Sequence, residues 1–135
     1  MATNTAGSVA RDFNKQMVHY LRKGITYADD GTTVTVGTIP AGSLVLKPIS
    51  GVAITTVFNA GSTNVLDIGP STDSGTDLWA TDLALGTLGF VALDEAVTNL
   101  VSVDTVVQAA VDLTGTAATT GAAEIIIAFI PDNDG

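Results

Sequence analysis

Between Ile25 and Ile130 the apolar residues come in short β-branched runs, each closed by a turn signal, and no long helical stripe interrupts them. Asp30-Gly31 marks a turn and Thr33-Val34-Thr35-Val36 alternates after it. Ile39-Pro40-Ala41-Gly42 is a second, rigid turn. A β-rich stretch from Ser43 to Phe58 is broken at Pro48 and Gly51, because proline cannot donate to a ladder. Asn59-Ala60-Gly61-Ser62 closes it, and Val65 to Gly69 forms the next short strand. Leu83 to Val91 is apolar with two glycines inside, which predicts strand, bend and strand. Val97–Val103 and Thr105–Leu113 are two more strands meeting near Asp104. Thr114 to Ala122 is loop-like, and Glu124 to Ile130 is a strong last strand stopped by Pro131. Seven or eight strands at this spacing predict an all-β chain, an antiparallel β-sandwich or jelly-roll-like barrel. Eight strands with one long excursion fit a jelly roll better than an immunoglobulin-like sandwich, and no Cys–Trp–Cys core supports the latter.

The first 24 residues read differently. Val9, Phe13, Met17, Tyr20 and Leu21 fall on one helical stripe, with Ser8 as a plausible N-cap and Gly24 as a C-cap. A short helix and an extended arm that orders on a partner are both compatible with that stretch, since about 16 residues make a marginal helix without tertiary support. The organisation expected is a basic N-terminal arm over 1–24 and one β-domain over 25–135, which suits a chain of 135 residues.

Charge separates the same two parts. Residues 1–24 carry four basic side chains against Asp12, a net of +3. Residues 25–135 carry Lys47 against thirteen acids, a net of −12. Such a body repels phosphates, so nucleic acid is not an expected partner. The acidity suits solubility, while the arm suits an acidic partner, including the body of a neighbouring copy. No apolar run approaches the ~18 residues of a membrane span, and no signal-peptide core is visible near Met1. The chain has no cysteine and one histidine, His19, which excludes disulfides, thiol catalysis, thiolate zinc sites and any two-imidazole site within one chain.

Few residues invite chemistry. Asp67, Asp73, Asp77 and Asp82 lie in or beside the long polar stretch 70–82, but their spacing is not that of a calcium loop. Asp94-Glu95 are adjacent, and adjacent side chains on a strand diverge, so they do not make an acid–base pair. Phosphate-binding glycine motifs are missing. Trp79 on the polar stretch is the one candidate for an exposed aromatic ligand contact; the alternative is a ring tucked over a sheet edge as a loop anchor. The expectation is no enzyme, no cofactor and no metal.

The phrases IPAGSLVLKPISGVAITTVFNAGSTNVLDIG, ATDLALGTLGF and AEIIIAFIPDND, preceded by the basic arm, resemble small structural proteins of tailed bacteriophage virions, in particular head decoration (cement) proteins. The resemblance runs from about Phe13 to Asp134. It implies a virion protein made in the host cytoplasm and placed on the capsid surface. There it would form a homotrimer and clamp neighbouring subunits of the major capsid protein. It implies no catalytic residue. In such a clamp the arm is the expected docking element, with Phe13, Met17, Tyr20 and Leu21 as apolar contacts and Arg11, Lys15, Arg22 and Lys23 as basic ones, to the capsid or to a neighbouring copy. The alternative is a fibre, tail or adhesin-type module that binds a receptor or carbohydrate, for which the Trp79 stretch is the candidate.

Overall fold

The computed structural model describes residues 18–131. Two 3-10 turns, Tyr27–Asp29 and Lys47–Ile49, are its only helical elements among the described residues, and no helix is long and apolar enough to cross a membrane. Nine strands carry the fold: β1 His19–Thr26, β2 Thr33–Ile39, β3 Leu44–Val45, β4 Gly51–Thr56, β5 Thr63–Pro70, β6 Ala80–Ala84, β7 Gly89–Ala92, β8 Thr105–Thr114 and β9 Ala122–Ile130. They form two antiparallel sheets. One runs β1-β9-β4-β7, with β3 also on β9, and the other runs β2-β8-β5-β6.

The order is that of a rolled hairpin. With the two-residue β3 set aside, the first strand pairs with the last (β1 with β9) and the second with the last but one (β2 with β8). The third pairs with the sixth (β4 with β7) and the fourth with the fifth (β5 with β6). Two sheets connected in this way are a jelly roll.

Alternation drives the packing. In β9 Ala123, Ile125, Ile127 and Phe129 are buried, and in β8 Val107, Ala109, Val111 and Leu113 are. These odd-numbered residues face each other across the sandwich with Val52, Ile54, Leu66 and Ile68. Trp79, Leu85, Leu93 and Phe58 come from connections and close the open ends of the core.

Two sequence expectations change. The helix over Ser8–Lys23 does not hold where the chain is described. From His19 the chain is strand β1, paired with β9 in an unbroken register from His19↔Phe129 to Thr26↔Ala122. The ladder supplied by β9 outweighs the weak propensity of so short a helix. The β-domain therefore begins before Ile25. The second change concerns Val97–Val103, which is no full strand. It meets β3 through one bridge, Leu44↔Leu100, and through the Val45 and Val101 N–H groups, which donate to Asn99 and Ser43 carbonyls at 2.6 and 3.0 Å. A two-residue strand offers nothing longer to pair with.

Candidate docking surfaces

Pairing in β1 settles where the described half of the predicted contact set goes. Leu21 and Lys23 lie opposite Ile127 and Ile125, on the inner side of the sheet, and Leu21 packs against the core. Tyr20 and Arg22 lie opposite Ala128 and Ile126, on the outer side. A strand's period of two thus splits what a helical stripe would have united. Arg11, Phe13, Lys15 and Met17 lie outside the described residues. Arg22 Nε donates to the Glu124 carboxylate across the outer face, and this contact raises the guanidinium's pKa. His19 lies on β1 with its ring 5.9 Å from that of Phe129.

The two outer faces differ in kind. On the sheet β2-β8-β5-β6, register places Thr33, Thr35, Gln108, Asp112, Thr63 and Asp67 outward, with Val65, Ala84 and Ala110 between them. That is the polar solvent face normal for an antiparallel sheet. On the other sheet, register places Tyr20, Leu44, Ala53, Phe90, Ile126 and Ile130 outward. Tyr20 is 56% exposed and Phe90 49%. The Arg22–Glu124 pair is the one ion pair on it among the described residues. An apolar face of this kind is what a protein buries against something else.

Trp79 is 1% exposed, so its ring is the loop anchor and not a displayed aromatic. The Trp79 N–H donates to the Ile68 carbonyl at 2.9 Å and its carbonyl accepts from Glu95 N–H at 3.2 Å, which locks the residue between strand and loop. It nevertheless lines a cleft of about 290 Å³. One wall comes from Pro70, Leu78 and Trp79, the other from Leu100, Val103 and Asp104. Leu78, Leu100 and Val103 are 51%, 64% and 66% exposed. The sequence points to one wall through Trp79 and its polar stretch but gives no signal for the other, because Leu100 and Val103 sit in an apolar run that reads as a buried strand.

The acids have structural work. Asp73 Oδ2 accepts from the Asp77 and Leu78 N–H groups at 2.8 and 2.9 Å, and Oδ1 from Gly75 N–H at 3.2 Å. These bonds, that from Asp77 first, hold the Asp73 carboxyl below its usual range. Asp67 Oδ1 accepts from Asp82 N–H at 2.7 Å and fixes a bulge in which Asp82 takes φ +55°. Its burial nonetheless pushes the Asp67 carboxyl up, with Asp82, Asp77 and Asp112 adding to the effect. Asp29, Asp30, Asp94 and Asp104 likewise accept from the N–H groups of Thr26, Leu113, Thr81 and Ala41. Among the described residues no three acidic or imidazole side chains are grouped so as to hold a metal ion.

No family model matches the chain, and no curated protein matches it. Among solved structures it is similar to a chain from the "Cyanophage Pam1 capsid asymmetric unit", over 85% of this chain and 84% of that one. The TM-score is 0.56 and the identity 18%. The likeness is one of fold.

Proposed function

We propose that this protein is a structural, non-enzymatic component of a bacteriophage virion, and that it decorates and stabilises the capsid by docking on neighbouring capsid subunits. The observation that carries the reading is the apolar outer face of the sheet β1-β9-β4-β7, set against the polar outer face of its partner sheet. A free-standing sandwich has no use for the first; a body that sits on a shell does. The fold likeness to a chain of a cyanophage capsid supports the setting. So does the resemblance of the turn-and-strand phrases to phage head decoration proteins. Tyr20 and Arg22, from the predicted contact set, lie on the docking face. The basic residues before β1 serve in this reading as a tie to a neighbour, and many copies on a symmetric shell let each contact be modest.

The test is copy number on purified particles by quantitative mass spectrometry, with a variant of the face. A simple ratio to the major shell protein is expected. Phe90→Asp is expected to reduce particle occupancy at least tenfold while the isolated protein keeps its melting temperature, since Phe90 is half exposed at the edge strand β7. Absence of the chain from particles would overturn the reading. A few copies per particle would move it to a tail or fibre.

A further inference from the structure

The cleft beside Trp79 lies off the docking face and has a chemistry of its own. Its walls are apolar, and three of the most exposed large apolar side chains of the described surface stand on it. No lysine, arginine or histidine lines it, and Asp104 does. Asp73 and Asp77 flank two further lining residues, Thr72 and Leu78, in the chain. The occupant that fits is therefore a segment with large apolar side chains interleaved with cations.

This chain carries such a segment. Val9, Arg11, Phe13, Lys15 and Met17 alternate apolar and basic at every second position, so an extended chain presents all five on one side. The remainder of the chain, from Ile25 on, has one basic residue, Lys47, against thirteen acids. Position agrees with chemistry. His19 at the head of β1 lies opposite Phe129, Leu44 lies opposite Ile130 on the other side of β9, and Leu100 bridges to Leu44. The root of the segment and the cleft are thus about three strand spacings apart, roughly 14 Å, at one end of the molecule. Copies that meet end to end bring root and cleft together.

We propose that the cleft is the receptor for residues 9–17 of a second copy of this chain, with Phe13 as the apolar anchor and Arg11 and Lys15 beside Asp104. With root and cleft at the same end, two copies that meet there exchange segments reciprocally, each giving one and receiving one. The inference needs only a second copy, and stands or falls apart from the virion reading.

Complementation of two full-length variants tests it. Phe13→Asp removes the anchor and keeps the cleft. Val103→Asp spoils the cleft and keeps the segment, and because Val103 is exposed the fold is left intact, which circular dichroism checks. In sedimentation velocity the parent protein is expected to associate, and each variant alone to associate at least tenfold more weakly. A mixture of the two is expected to stop at a one-to-one pair, in which one segment fills one cleft. Emission from Trp79, the sole tryptophan, is expected to shift in the mixture and not in either variant alone. Variants that associate as the parent does would overturn the proposal. So would a parent that stays monomeric at all concentrations, or a mixture that behaves as the sum of its parts.

Discussion

Ser50 sits where the β4–β9 ladder gives way to the β3–β9 ladder, and its hydroxyl bridges the gap. Ser50 Oγ donates to the Leu46 carbonyl at 2.7 Å and accepts from Ala128 N–H at 2.9 Å, in a fully buried position. Ser50→Ala removes no bulk to speak of but leaves a buried donor without its partner, so a loss of about 2 kcal/mol is expected from the urea midpoint. Asp67 behaves in the opposite sense. Its folded pKa lies above the unfolded value, so the folded state prefers the protonated form, and the ionised carboxylate opposes folding at any pH above that folded value. The penalty disappears as pH falls through it. Asn in its place keeps an oxygen for the Asp82 N–H and carries no charge. Asp67→Asn is therefore expected to raise the urea midpoint at pH 7, and the gain over the parent should vanish in acid; a lower midpoint at pH 7 would contradict the assignment.

Strand β4 shows what close pairing demands of an element. A Cβ on Gly51 would stand 2.1 Å from the Val91 carbonyl oxygen, so β7 can approach only because glycine is there. Gly51→Ala is expected to push β7 off the sheet and cost about 2 kcal/mol or more, with faster hydrogen exchange over Gly89–Ala92 as its signature. Strands such as β8 and β9 are legible in the sequence, because each is an apolar, β-rich run with a clear stop: Gly115 after β8 and Pro131 after β9. The break at Pro48 and Gly51 was legible for the same reason. The register of β1 was not. Its apolar residues satisfy a helical stripe as well as a strand, and only the long-range partner β9 decides between them. The docking face stayed hidden for a related cause. Phe90, Ile126 and Tyr20 are far apart in the chain, and apolar outward positions look like core until the pairing is known. Trp79 on a polar stretch fits both a displayed aromatic and an anchor, and only its burial in the folded chain decides for the anchor.

At the scale of the whole molecule, β9 holds the most demanding place. It comes last among the described strands, yet it lies inside its sheet, between β1 on one side and β4 with β3 on the other. A nascent chain that has emerged only as far as Gly121 can assemble β2, β8, β5 and β6, but the layer opposite has no middle. Ile54, Val52 and Ile25 then have no Ile125 or Ile127 between them. Folding of this layer must wait until β9 has been made. Until then the ribosome-bound intermediate displays a bare apolar slab, an invitation to chaperones and to aggregation, and a product terminated early is predisposed to degradation. Only chains that include β9 can complete the second sheet, so synthesis itself separates copies that carry β9 from those that stop short of it before either meets a partner.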